Sequence, residues 1–451
     1  METQAKKKNS LTEGSVVKGL LPFIIPIIIT NLLQALYALA DMAIVGNVVG
    51  ARGMSAINMA SLVTAVLLAV ATGFTNGGGI LISQLFGAGK KDTIQKAMGT
   101  TVSAFFLMAL LCMAIIYAFG EPILNALSTP PEAFEGAKSY LYICTAGQIF
   151  VFVYNTVAAD LRSLGKSLQP MIFVAITVVL NVGLDYLFVA VFGWDVEGAA
   201  LATIISQFIS MCCAIAYTKK TKVFDFKPSS LKIDWGLLKT ALKIGVFQAL
   251  QFGITTISFL LISGFVNVYG VAASAATGAA GKIGTFAVLP AQASQVALIT
   301  FAAQNHVKKQ YKRIVKGMLV AMVISLVVAV TLVIVSQANP EVLLRIFTDD
   351  PAVIEMGKQY YAVYSLSFLF ESLMFCFYGI ESGSGYTNFV FFCAIISAII
   401  CRLTFAWIFS TFTDLGFIGI AWAYVLAPAC SGLAAFIFFL SGKWKKPKLK
   451  I

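Results

Sequence analysis

The sequence predicts an all-α integral membrane protein, with twelve transmembrane helices in two six-helix lobes related by a parallel internal repeat. Three observations predict it. Apolar stretches of about 20 residues or more recur from end to end, the loops between them alternate between basic and neutral or acidic, and the chain resembles itself at an offset of 220 positions.

Composition sets the solvent. Of 451 residues, 59% are hydrophobic and only 12% charged, and mean hydropathy is +0.88, values of a chain whose helices face lipid. The net charge of +12 does not mark a nucleic-acid binder, because the basic residues are dealt out between apolar segments. They cluster at 6–8, 90–96, 162–166, 219–222, 308–313 and 443–450, whereas the alternate loops 120–137 and 339–358 carry Glu121, Glu132, Glu135, Asp349 and Asp350. Basic loops stay inside, so both termini are expected in the cytoplasm of a plasma-membrane protein.

The spans read in order as residues 17–49, 53–86, 94–119, 136–162, 168–192, 197–218, 238–268, 272–304, 314–336, 356–383, 387–411 and 417–441. A basic arm (1–16) precedes an N-terminal lobe (17–218). A cytoplasmic linker (219–237) leads to a C-terminal lobe (238–441) and a basic tail (442–451). The first span lacks a small-residue cleavage site and is expected to double as an uncleaved insertion signal. All eight cysteines fall inside spans, without metal-ligand spacing, and read as core residues. His306 lies in a basic loop and is expected to be solvated.

The repeat is carried by residues that rarely match by chance in an apolar chain. Asn47, Val48 and Gly50 align with Asn267, Val268 and Gly270, Gln84 with Gln304, Lys96 with Lys316, and Gly165 with Gly385. Six spans per copy is even, so both copies insert in the same orientation. Two such lobes enclose a cleft that can open to either side in turn, the architecture of a transporter. A pore would more often be built from identical subunits, and no nucleophile or metal constellation marks an enzyme. No Gly-rich Lys-Ser/Thr nucleotide loop is present, so the energy must come from a gradient or a partner.

Asp41 and Asp185 stand out as carboxylates deep in apolar stretches, where a charge persists only with a partner or a task. Two carboxylates in one apolar pocket repel when both are ionised, and a proton or a cation relieves the repulsion. At offset 220 they meet Leu261 and Phe405, so the second lobe lacks both. Its own deep charges are Glu371 and Arg402, which read either as a buried ion pair or as a second coupling or substrate site.

The chain resembles the multidrug and toxic compound extrusion (MATE) family, and within it the bacterial DinF-like branch. The resemblance rests on Pro26, the run Q-A-L-Y-A-L-A-D-M-A-I-V-G from Gln34 to Gly46, Q-L-F-G-A-G from Gln84 to Gly89, R-S-L-G-K from Arg162 to Lys166 with Pro170, N-V-G-L-D from Asn181 to Asp185, and Gly198-Ala-Ala200. It covers the first half almost throughout and the second more loosely. It implies a MATE-like fold and efflux of organic, often cationic and amphipathic compounds against inward movement of Na⁺ or H⁺, with no cofactor.

The resemblance also implies a coupling site in the N-terminal lobe. Asp41 and Asp185 would be its carboxylates, Asn181 and Thr203 further oxygen ligands for a proton-coupled or Na⁺ site, and Tyr37 a neighbour. Residue counting agrees on depth. Asp41 lies about 30 Å along the first span, Asp185 about 25 Å along the fifth, and Thr203 about 9 Å below the outer end of the sixth. Asn181 and Asp185 share a helix face, and Asn31, Gln34, Tyr37 and Asp41 draw a polar stripe. Hard oxygens suit Na⁺ and a proton alike, so both stay open.

Gln248, Gln251, Gln292 and Gln295 lie in the family's cleft-lining region, where they either contact substrate or bond across helices. Pro26 is expected to interrupt the first helix's hydrogen-bond ladder and permit bending. Asp160 and Arg162 are expected to serve structurally at the cytoplasmic interface. A monomer suffices, since the duplication supplies both halves, and the expected partners are small organic cations and membrane lipids rather than nucleic acid. The alternative is a flippase-like exporter of lipid-linked oligosaccharides, whose cleft would need several cations for a pyrophosphate. Here the spans show one deep arginine.

Overall fold

The computed structural model describes residues 10–448; residues 1–9 of the expected arm, with the basic cluster at 6–8, and residues 449–451 of the expected tail lie outside the described residues. Twelve apolar stretches form helices, numbered here in chain order: α1 Val16–Val48, α2 Ala51–Gly87, α3 Lys91–Ala126, α4 in two pieces (Pro131–Ala146 and Gln148–Ser163), α5 Leu168–Val191, α6 Asp195–Lys220, α7 Trp235–Asn267, α8 Val271–Val307, α9 Tyr311–Ala338, α10 Pro351–Gly383, α11 Thr387–Phe412 and α12 Gly416–Leu440. Eleven of these are single helices long and apolar enough to cross a membrane, and the bent pair makes the twelfth. Side chains such as Leu111, Val179, Val323 and Ile334 are 60% or more exposed, an apolar surface that suits lipid and not water.

Several helices exceed the expected spans. The 36 residues of α3, against the expected 94–119, reach about 54 Å, well beyond a hydrocarbon core of about 30 Å. The α4 span bends by 46° at Gly147, where a Cβ would sit 2.7 Å from Ile204 Cγ1 on α6. Close approach of a neighbouring helix at a glycine is a recognised cause of such a bend. The α5 and α11 spans each contain a wider π-helical stretch, Tyr186–Val191 directly after Asp185 and Ile396–Cys401 directly before Arg402.

The repeat is visible in the backbone. Gly50 and Gly270 take φ of 84° and 89°, and Gly165 and Gly385 take 82° and 93°. These left-handed conformations favour glycine, so each pair performs the same turn in its own copy.

The compact units divide elsewhere than at the linker. One unit is Ile29–Ala249; the other comprises the chain up to Ile28 and from Leu250 onward. The expected boundary at 219–237 assigned α1 wholly to one lobe and α7 wholly to the other, but each helix changes unit near its middle. The reason is packing. Within the second unit, Leu20, Phe23, Ile24 and Ile27 of α1 are buried against Ala293, Ala297, Leu298 and Phe301 of α8. Within the first, the start of α7 lies backbone to backbone on α2, where a Cβ on Gly73 would meet Ala249 Cα at 2.3 Å and one on Gly77 would meet Gly245 Cα at 2.4 Å. Small residues four apart on both helices permit that approach.

The linker is fastened to the first unit. Gln95 Nε2 donates to the Val223 carbonyl (2.6 Å), Ser103 Oγ to the Leu231 carbonyl (2.7 Å), and the Asp234 N–H to Thr100 Oγ1 (3.0 Å). Asp234 Oδ1 then caps the start of α7 by accepting from the N–H groups of Gly236 and Leu237. In the second unit, Arg313 donates to the carbonyls of Ser10, Leu11, Glu13 and Gly14. His306, expected to be solvated, is instead buried, its Nε2 2.8 Å from the Trp444 carbonyl oxygen. The tail folds back over it, with Trp444 only 1% exposed.

Candidate functional site

Within the first unit, α1, α5 and α6 bring Tyr37, Asp41, Asn181, Asp185 and Thr203 into one neighbourhood. The Tyr37 hydroxyl lies 3.1 Å from Thr203 Oγ1, and the Asn181 Nδ2 donates to the same oxygen at 3.5 Å. Asp41 is 6% exposed, and Asn181 and Asp185 are fully buried. Asp41 and Asp185 are electrostatic neighbours. Helical spacing puts Asn181 one turn before Asp185, and the π-helical stretch begins at the next residue. Such stretches often mark functional sites, because the wider turn re-aims the side chains around it.

The satisfied bonds stop short of the acids. Asp41 Oδ1, both carboxylate oxygens of Asp185 and Asn181 Oδ1 are buried without a hydrogen-bond partner. Four unpartnered oxygens in so small a region are costly to bury unless a proton or a cation joins them. Among the described residues no group of three or more His, Cys, Asp or Glu side chains forms a metal site. The donor set here is two carboxylates, an amide and hydroxyls, hard oxygens that suit H⁺ or Na⁺ as cargo. Beside them lies a cavity of about 460 Å³, lined by Gln34, Tyr37, Asp41 and Thr203 among apolar and polar neighbours.

A separate cavity of about 370 Å³ lies within the second unit, and Glu371 and Arg402 both line it. The expected ion pair between them is not formed: among the described residues no carboxylate oxygen lies within 4.0 Å of Arg402. Instead the guanidinium lies against the mutually stacked rings of Phe259 (4.7 Å) and Tyr424 (5.2 Å) and donates from Nη1 to Ser258 Oγ (3.2 Å). Aromatic faces supply the attraction that a carboxylate would otherwise give.

With the geometry in hand, comparison with known proteins decides the family. The MatE family model matches residues 26–187 and 248–408, one match in each half. The chain belongs to the MATE family. It is 31% identical over 450 residues, 98% of this chain and 99% of the other, to the probable multidrug resistance protein YpnP of Bacillus subtilis (strain 168). It is 26% identical to the multidrug export protein MepA of Staphylococcus haemolyticus (strain JCSC1435), over 95% of this chain and 94% of that one. The fold matches a structure described as an outward-facing conformation of a multidrug resistance MATE family transporter of the MOP superfamily. The TM-score is 0.92 at 19% identity, covering 98% of this chain and 100% of that one.

As a MATE-family transporter the chain places its remaining candidate residues unevenly. Gln251 and Gln292 line the second unit's cavity, and Gln251 Oε1 is buried without a partner. Gln248 and Gln295 are buried outside both linings. The α1 helix continues unbroken through Pro22 and Pro26, so Pro26 removes one N–H from the ladder without ending the helix. Asp160 is buried at the end of α4. Residue counting missed Tyr140, Cys144 and Gln148, which line the first cavity from the two sides of the α4 bend. They reach it from either side of the bend at Gly147, and a glycine in an apolar run does not announce a bend.

Proposed function

We propose that the protein is a secondary active antiporter that exports organic, cationic amphipathic compounds in exchange for H⁺ or Na⁺ by alternating access, with both termini cytoplasmic. The observation that carries this reading is the set of unpartnered oxygens on Asp41, Asp185 and Asn181 beside a cavity of about 460 Å³. Loading a proton or Na⁺ there removes a repulsion between carboxylates, and the loaded and empty states then favour different conformations. A ligand shifts such an equilibrium only by its differential affinity for the two states, which this site supplies. An inside-negative potential assists entry of the coupling cation by about 2.3 kcal/mol per charge per 100 mV. The names of YpnP and MepA support multidrug export. The cavity beside Asp41 is lined by no Lys or Arg, which favours a cation over a lipid-linked pyrophosphate.

The test is movement of a fluorescent cationic dye in proteoliposomes under an imposed proton gradient and, separately, a sodium gradient. One gradient is expected to drive the dye and so name the ion; a dye that moves under neither, although it binds the purified protein, sinks the antiport reading. Replacing Pro26 by Ala restores the missing N–H and should stiffen α1 close to the point where the helix changes unit. Dye export is expected to fall several-fold with binding intact, and unchanged export would remove Pro26 from the mechanism.

A further inference from the structure

We propose that the cavity of the second unit binds aromatic zwitterions, with Arg402 receiving the carboxylate and Glu371 the cationic end. This rests on the transport reading only for the role of the bound molecule as cargo. Arg402 is 5% exposed, yet its Nε is buried without a partner. The Ser258 hydroxyl proton is already committed to the Ala398 carbonyl, so Ser258 offers Arg402 a lone pair and no charge. The guanidinium is therefore held in place by rings and one neutral acceptor, with a donor left over and no anion. A planar fork in that state is a ready carboxylate receptor.

Glu371 supplies the opposite pole on the same lining, more than 4.0 Å from any basic nitrogen among the described residues. Had the two charges met, each would cancel the other and the cavity would be electrically quiet. Unpaired on a lining they share with Tyr360, Tyr364 and Tyr424, they offer one cavity a positive group, a negative group and aromatic surface. A bare cation gains from Glu371 but is repelled by Arg402, and a bare anion meets the reverse; a molecule with both charges on a ring body satisfies both. The π-helical stretch directly before Arg402 sets that side chain's direction, as the one after Asp185 does in the first unit.

The probes are rhodamine B, which carries a carboxylate and a cationic ring system, and its ethyl ester, which keeps only the cation. Binding to the purified full-length chain in detergent is read by fluorescence polarisation with no ion gradient, so the result is independent of coupling. Wild type is expected to prefer rhodamine B. Arg402→Gln should weaken rhodamine B about tenfold to a hundredfold, the range of a charge-assisted bond, and leave the ester unchanged or tighter. Glu371→Gln should weaken both. Arg402→Lys, which keeps the charge and loses the fork, should fall between and guards against a misfolded Gln variant. Equal loss of both dyes in Arg402→Gln and Arg402→Lys, or no loss in either, overturns the proposal. Loss of transport on changing Asp41, with these affinities intact, would bear on coupling alone.

Discussion

Asp41→Asn is expected to reduce gradient-driven export to the level of empty liposomes while the protein still folds and still binds dye. Asparagine keeps the size and one oxygen but cannot take up a proton or carry the charge that holds Na⁺. The unpartnered Asp41 Oδ1 is buried beside the fully buried Asp185, so in the variant the pocket holds one ionisable group where it had two. The cation no longer relieves a repulsion, and its binding ceases to discriminate between conformations. Folding should not suffer, because an unpaired buried carboxylate costs several kcal/mol before it is neutralised. The thermal midpoint is expected to hold or rise. Asp185→Asn should share the transport defect. A folded Asp41→Asn that exports at the wild-type rate would move the coupling site elsewhere.

The second large effect concerns packing. Gly77→Leu is expected to abolish the folded protein, and even Gly77→Ala to lower the thermal midpoint. The three atoms nearest the new Cβ all belong to the α7 backbone: Gly245 Cα at 2.4 Å, Gly245 N at 2.5 Å and the Ala241 carbonyl oxygen at 2.9 Å. Nothing there can rotate away, so the helices must separate. Overpacking of this kind costs about 1–3 kcal/mol and at times more, which exceeds the roughly 1 kcal/mol that alanine gains over glycine in a helix. Gly253, farther along α7, has nothing within 4 Å of its would-be Cβ. Gly253→Ala is expected to be neutral or slightly stabilising. Comparable midpoints for the two alanine variants, read by thermal unfolding in detergent, would disprove tight α2–α7 contact.

The helices were legible in the sequence because a bilayer imposes their length: an apolar run ends where the lipid ends, and the loop charges mark which side it has reached. The turn glycines at 50, 165, 270 and 385 were legible too, since two glycine pairs at one offset seldom arise by chance. Asp41 and Asp185 stood out because carboxylates are rare at that depth, and Asn181 through the motif that carries the family resemblance. What escaped depends on partners far along the chain. The bend at Gly147 needs Ile204 opposite it. The burial of His306 needs Trp444 to fold back. Arg402 read as half of an ion pair because a buried guanidinium needs company, and the sequence does not show that aromatic rings provide it.

The division of α1 and α7 between units bears on how such a chain arose. Each compact unit is completed by half a helix from the other repeat, so a single six-span copy would leave that place in its core open. A forebear with one copy per chain would then have lived as a pair of subunits exchanging the first halves of their first helices. Gene fusion would have made the exchange permanent. By the same logic, cutting the present chain within the linker would give two fragments that must be made together to recover either unit.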